Sequence, residues 1–282
     1  MTEVSPELVV SALRALEVEE VAPIGAPAGQ KDVRHVRRAG QDLVLKVIAV
    51  HASTPDVLQR ASREVELLAG LDCEHVVKVA SGLVELGSPP TGAAWLEEFL
   101  DGEDLSAIVR GSGPWTWSDA ADMARQVSDG LAVGHRRGVV HRDLSANNVR
   151  RLSSGTYKVI DFGFARFTLR SGLTVAGQPG TRGFMTPEHL NSYSGGPMPA
   201  SDVFAVGTLI YLALTGDVPV PWRGDDADYA TRLRAVTTTD IAVARPDLAS
   251  EQVELVRRCL HPQPARRFST AGKLAAALEK LA

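Results

Sequence analysis

The run His141-Arg142-Asp143-Leu144-Ser145-Ala146-Asn147-Asn148, with Asp161-Phe162-Gly163 starting thirteen residues after Asn148, constrains this chain more than any other feature. It offers a potential base, Asp143, five residues before an amide, Asn148, and then a second carboxylate, Asp161. Phosphoryl transfer from a nucleotide calls for such a set, because its catalysis is mostly positioning and charge neutralisation. One carboxylate orients the attacking hydroxyl. An amide oxygen and a second carboxylate suffice to hold Mg²⁺ against phosphates, since that ion prefers oxygen ligands and retains several waters. A fold that serves this chemistry must bring three separated polar side chains to one place.

Composition narrows the class. The 282 residues can bury a substantial core as one large domain or two lobes. A formal net charge of −4 supplies no basic excess for general nucleic-acid binding. The two cysteines, Cys73 and Cys259, lie far apart and make no metal-ligand pattern, as expected of reduced thiols in a cytosolic protein. Met1-Thr2-Glu3-Val4-Ser5-Pro6 lacks the basic and apolar regions of a signal peptide. The longest apolar stretch, Val203 to Leu214, contains Gly207 and Thr208 and is too short to span a bilayer. A soluble cytoplasmic protein without nucleic-acid or membrane partners is expected.

The hydrophobic pattern changes along the chain. Leu8, Val9, Ala12, Leu13, Leu16 and Val21 fall on helical spacing over Pro6 to Val21, with Ser5 placed to cap and Pro6 in the first turn. Ile24 to Val50 reads as successive strands ending in Leu43-Val44-Leu45-Lys46-Val47-Ile48. Ser53 to Leu71 is helical, with an apolar stripe of Val57, Leu58, Ala61, Val65, Leu68 and Leu71. Val76 to Val84 and Ala94 to Leu100 are strand-like, separated by a turn at Gly87 to Gly92. Beyond Leu100 the pattern is mostly helical, with a hairpin-like piece around Val149 to Ile160. The expected organisation is a helical extension over 1–20, a β-rich lobe over 21–100 and a larger helical lobe over 101–282.

These motifs, their order and their spacing resemble the protein kinase family. The resemblance runs from about Val21 to the C-terminus and implies an α+β bilobal kinase fold, with one main helix in the small lobe. It further implies ATP and Mg²⁺, or Mn²⁺ in its place, bound between the lobes. In that resemblance Asp143 is the catalytic base, and Asn148 and Asp161 are metal ligands that also serve the nucleotide site. Lys46 contacts the α- and β-phosphates, and Glu64 on the following helix holds it, with Glu66 as the alternative register. Gly25, Gly29 and Val33 line the phosphate side, and the hinge Glu98 to Leu100 offers backbone hydrogen bonds to adenine. His141 and Phe162 resemble packed spine residues in a column with Leu68 and Val79. Arg142 resembles the arginine that meets a phosphorylated loop, and Thr168, Ser171, Thr174 and Thr181 are candidate phosphorylation sites. Glu188, in Thr186-Pro187-Glu188, is expected to pair with Arg267. Asp202 is expected to anchor the catalytic loop through backbone amides, because a buried carboxylate needs hydrogen bonds.

The chain departs from the family pattern at several positions. Ile24-Gly25-Ala26-Pro27-Ala28-Gly29-Gln30-Lys31-Asp32-Val33 keeps two glycines of the phosphate loop but not their spacing, and Pro27 has no N–H to offer. Ser145 replaces the lysine usual in serine/threonine kinases, so the hydroxyl class is open. Glu97 falls at the usually apolar gatekeeper position. Arg150 takes a place that normally holds an aliphatic group under adenine; either its guanidinium stacks there or the register shifts to Val149 or Leu152. The leading expectation is an ATP-dependent protein kinase acting on protein hydroxyls, Ser/Thr in preference, with self-association for trans-autophosphorylation. The alternative is a pseudokinase serving as a nucleotide-binding scaffold. A small-molecule phosphotransferase is disfavoured by Thr186-Pro187-Glu188 together with Arg267.

Overall fold

A computed structural model describes residues 4–25, 31–50, 55–162, 174–175, 178–179, 181–190, 198–236 and 238–281, with the side chains of 55–57, 60, 64, 174, 175, 178 and 179 outside the description. The chain divides into two compact units, the first made of residues 1–71, 77–100 and 166–172 and the second of 72–76, 101–165 and 173–282.

The first unit is built on a five-stranded antiparallel sheet in the order β1-β2-β3-β5-β4. Its strands are β1 (Glu19–Pro23), β2 (Lys31–Arg38), β3 (Gln41–Ala49), β4 (Val84–Leu86) and β5 (Gly92–Glu98). The β2–β3 hairpin closes through Ala39-Gly40, at φ 50° and 82°. Two positive φ values in a two-residue loop match the right-handed twist of the flanking strands, and Gly40 adopts its value without steric cost. Successive side chains alternate between faces. Leu43, Leu45, Val47, Ala94 and Leu96 therefore share one face, packed with Val36 and Leu86. Lys46, Trp95 and Glu97 fall on the other.

Helix α1 (Pro6–Ala15) covers the apolar face, burying Ala12 among those side chains, and Leu16 just beyond it joins them. Ser5 caps it by accepting from the Leu8 amide at 3.3 Å, with Pro6 at its first position. The helix ends earlier than the expected Val21. Glu17 adopts a left-handed φ of 53°, the chain enters β1, and Val21 is an exposed strand residue. Helix α2 spans Pro55–Ala69.

The expected strand over Val76 to Val84 is mostly irregular. Only Val76 and Val79 make isolated bridges before β4 begins. The Ser81 hydroxyl accepts the Leu96 amide at 2.9 Å, so a side chain stands where a ladder carbonyl would.

The second unit carries a three-stranded antiparallel sheet of β6 (Gly102–Asp104), β7 (Val149–Leu152) and β8 (Tyr157–Val159) in the order β6-β7-β8. The same unit holds α3 (Leu105–Ser112), α4 (Trp117–Arg136), α5 (Pro199–Thr215), α6 (Asp226–Ala235), α7 (Ile241–Ala244), α8 (Ser250–Cys259) and α9 (Ala271–Glu279), of which α3 and α4 pack on the sheet. Helix α5 is apolar nearly all round because it is the buried axis, packed by α4, α8 and α9. Residues 72–76 belong here: Val159 N–H donates to the His75 carbonyl and His75 Nδ1 meets the Tyr157 carbonyl. Among the described residues, no helix is long and apolar enough to cross a membrane.

Candidate active site

In the second unit the catalytic loop is fixed from below by Asp202 on α5. The Asp202 carboxylate is buried and accepts three bonds, from His141 N–H at 2.8 Å, Arg142 N–H at 3.1 Å and His135 Nε2 at 2.8 Å. Burial pushes this carboxyl up, but the His135 ring and the neighbouring donors prevail and hold it below the ordinary aspartate range. The other ring nitrogen of His135, Nδ1, accepts the Ala271 amide at 3.3 Å. The ring proton is therefore on Nε2, and one histidine joins α4, α5 and the start of α9.

Held this way, Arg142 takes a left-handed φ of 73°. Such backbone in a non-glycine residue is uncommon and recurs at functional sites. Asp143 follows, half-buried. Its backbone carbonyl accepts Asn148 Nδ2 at 2.8 Å, and its carboxylate accepts both the amide and the hydroxyl of Thr181, at 3.2 and 3.1 Å. Asn148 is set in a 3-10 turn, with its N–H on the Ser145 carbonyl and its own carbonyl taking the Ile160 amide at 2.9 Å. That last bond ties the amide to the strand leading into Asp161, whose φ of 61° is also left-handed. Phe162 is fully buried against His141, ring centroids 5.0 Å apart, and His141 Nε2 meets the Ile160 carbonyl. His141 is thus a packing residue, as the resemblance implies.

The donor set suits Mg²⁺. The Asn148 amide nitrogen is committed to the Asp143 carbonyl, so its oxygen is the atom that could ligate a cation, and Asp161 could add a carboxylate. Among the described residues no group of three or more His, Cys, Asp or Glu side chains is placed to hold a metal ion.

Below the loop, Glu188 pairs with the buried Arg267 through two bonds of 2.7 and 2.9 Å. Arg267 also donates to the carbonyls of His261, Pro262 and Ala200 and lies 4.7 Å from the centre of the Phe204 ring. Arg150 is not a free floor residue: its guanidinium donates to Asp104 at 3.0 Å and to the Gly102 carbonyl, both on β6. The fully buried neighbour is Val149. Thr181, a candidate phosphorylation site in the sequence, lies against Asp143. Its amide and hydroxyl both donate to the Asp143 carboxylate, so Thr181 ties the end of its segment to that residue, and whether it is phosphorylated is a separate matter from this contact.

In the first unit, Lys46 stands on β3 opposite Val33 of β2 and Trp95 of β5. Its ammonium is buried and pairs with Glu97 at 2.5 Å, while the other Glu97 oxygen accepts the Trp95 indole N–H at 3.0 Å. Sequence reasoning treated Glu97 as a departure and missed it as a partner. The signal was available in the alternation of β3 and β5, which places residues 46 and 97 on one face in diagonal register. Glu64 lies on α2 with its side chain outside the description. The Glu98 N–H is spent on the Lys78 carbonyl, and its carboxylate takes the Lys78 amide. Leu100 is buried. Gly25 has a left-handed φ of 72°, and no described atom lies within 4 Å of where a Cβ would stand. Gly29, Thr168 and Ser171 lie outside the described residues, as does the side chain of Thr174.

Comparison with known proteins supplies the class. Residues 25–278 match the protein kinase domain, and the chain belongs to that family. It is 28% identical to the serine/threonine-protein kinase PknA of Mycobacterium tuberculosis over 86% of this chain and 55% of PknA. Against the serine/threonine-protein kinase PknL of Mycobacterium bovis it is 31% identical over 87% of this chain and 60% of PknL. The chain thus spans little more than half the length of these relatives. The M. tuberculosis PknI kinase domain shares the fold with a TM-score of 0.69 at 21% identity, covering 94% of this chain and 96% of that one. A structure of Rad53 residues 1–466 in complex with AMP-PNP gives a TM-score of 0.72 at 23% identity over 92% of this chain and 64% of that one.

Proposed function

We propose that this chain is an ATP-dependent serine/threonine protein kinase in which Asp143 accepts the proton of a protein hydroxyl. The observation that carries the reading is the triple restraint on Asp143. Asp202 fixes the backbone before it, Asn148 binds its carbonyl and Thr181 binds its carboxylate. A base held in this way meets the geometric demand of proton transfer in the transition state.

Asn148 and Asp161 would hold Mg²⁺, which when bound offsets phosphate charge. Lys46 would neutralise the α- and β-phosphates, with Glu64 and the sheet orienting it. Gly25, Gly29 and Val33 would approach the phosphates and ribose, and Glu98 and Leu100 would meet adenine through their backbone. The named activities of PknA and PknL support a Ser/Thr substrate, and Ser145 does not oppose it, because Lys46 and the metal remain to offset transferred charge. A cytoplasmic site of action is supported by the reliance of this reading on ATP as co-substrate. Arg142 would receive a phosphate from the segment 163–180, through Thr168, Ser171 or Thr174, after transfer between two copies.

Incubation with labelled ATP and Mg²⁺, followed by mapping of phosphorylated residues, tests this. Phosphoserine or phosphothreonine is expected, and Asp143→Asn should lower the rate by roughly 10²–10⁴-fold at unchanged thermal midpoint. Transfer at the wild-type rate by Asp143→Asn would refute the assignment of the base.

A further inference from the structure

The proposed kinase chemistry needs the Lys46 ammonium in one place, and family members secure it with a glutamate on the helix, so that movement of the helix controls the lysine. This chain adds a carboxylate in the sheet itself. Lys46 on β3 and Glu97 on β5 occupy adjacent antiparallel strands, with Lys46 opposite Trp95 and Glu97 opposite Val44. A two-residue diagonal on one face lies within reach of long side chains. Both groups are nearly fully buried, at 4% and 2% exposure. The Glu97 carboxylate is shared, with Oε2 on the ammonium and Oε1 on the Trp95 indole N–H. Rotation of the carboxylate away from Lys46 would therefore also break the indole bond. All three residues are set by one ladder of backbone hydrogen bonds. Both the charge and this counter-charge are carried by adjacent strands of one sheet, whose ladder sets their separation. In a buried environment an ion pair is weakly screened and strongly distance-dependent, so the position of the carboxylate dictates the position of the amine.

We infer that Glu97 is a positioning residue that holds Lys46 for the nucleotide phosphates from within the sheet, sharing with Glu64 a task that the helix performs alone in the usual family arrangement. The inference rests on the kinase reading above. Glu97 acts through Lys46 and transfers no proton in the reaction. It also accounts for an acidic gatekeeper amid Ala93, Ala94, Trp95 and Leu96, which are fully buried.

The test compares Mg²⁺–ATP with adenosine, which has no phosphates, by calorimetric titration of the whole chain. Glu97→Gln keeps the shape and an acceptor for Trp95 but removes the charge. It should weaken Mg²⁺–ATP binding by at least about tenfold, the scale expected when one member of a buried charged pair is removed, while changing adenosine binding by less than about threefold. In the Lys46→Met background, exchange of Glu97 for Met should have no further effect on Mg²⁺–ATP affinity. That pair of variants removes both charges, so it keeps the comparison usable even if the single Gln variant is unstable. Equal loss for adenosine and ATP would overturn the inference by making Glu97 a wall of the adenine pocket. Tighter ATP binding in Glu97→Gln would overturn it by showing that Glu97 competes with phosphate for Lys46. Additive losses in the Lys46→Met background would do the same. Failure of the wild-type chain to bind Mg²⁺–ATP at all would instead refute the kinase reading beneath it.

Discussion

Replacement of Arg267 by Met removes a buried cation that makes five hydrogen bonds. Two bonds to Glu188 vanish, of 2.7 and 2.9 Å, with donors to the His261, Pro262 and Ala200 carbonyls. Methionine retains much of the volume against Phe204, so the loss is chiefly electrostatic. The side chain left behind matters most. Glu188 sits beneath the surface, with the Ser201 hydroxyl and its own backbone N–H still donating to it but no cation. Burial pushes this carboxyl up, and Arg267 is what holds it below the ordinary range. Removing one member of a buried pair costs about 3–5 kcal/mol. At about 2–4 °C per kcal/mol for a domain of this size, a loss of about 4 kcal/mol lowers the melting midpoint by about 8–16 °C. Differential scanning calorimetry at pH 7 reads this directly. Glu188→Leu combined with Arg267→Met should melt higher than the sum of the single losses predicts, because no charge is then left buried and unpaired. A drop smaller than about 3 °C, or strict additivity in the double variant, would refute the assignment of this pair as a stabilising anchor.

Two further outcomes follow from the same structure. Asp202 and Glu188 both titrate lower in the folded chain than their ordinary values of 3.8 and 4.5. The unfolded chain therefore takes up protons first on acidification, and their contribution to stability, complete above those values, is lost as pH falls through the folded ones. Melting midpoints measured from pH 6 to pH 2.5 should fall through this window, and Asp202→Asn should flatten the slope; an unchanged slope would count against the role of Asp202. Gly92→Ala should destabilise the sheet unit by about 1–3 kcal/mol, since the added Cβ meets the Ile48 carbonyl and Leu8 Cδ2 at 2.6 Å each. A neutral result in urea unfolding would show that α1 yields at that point.

The catalytic loop was legible in the sequence because its motif residues are close together and their roles depend on residue type. Asp143, Asn148, Asp161 and Phe162 fall on one short loop-and-hairpin segment, and Asp202 was legible as its anchor. Glu188 and Arg267 were recognisable only through the family resemblance, being separated by most of the second unit. What sequence reading missed depends on register across strands. Glu97 looked like a misplaced gatekeeper until the β3–β5 ladder set it diagonal to Lys46. Arg150 stayed open between a floor residue and a register shift to Val149 or Leu152 until the β6–β7 pairing set its guanidinium on Asp104 and Gly102. His135 gave no signal, since a histidine in the last turn of an amphipathic helix reads as a favourable C-terminal charge. The helix expected to reach Val21 stopped at Ala15 because Glu17 takes a left-handed conformation that hydrophobic spacing does not reveal.

The position of α1 determines where an expressible domain begins. The family match starts at residue 25, and a truncation made at that boundary would strip away the helix and the first strand. Leu43, Leu45 and Val47 would then face water on one side of an open sheet, beside a β2 edge newly deprived of its β1 partner. An uncovered apolar face next to an unpaired strand edge is a template for intermolecular pairing. A fragment beginning at residue 25 should therefore be recovered as aggregates or inclusion bodies, whereas one beginning at Val4, ahead of the Ser5 cap, should stay monodisperse.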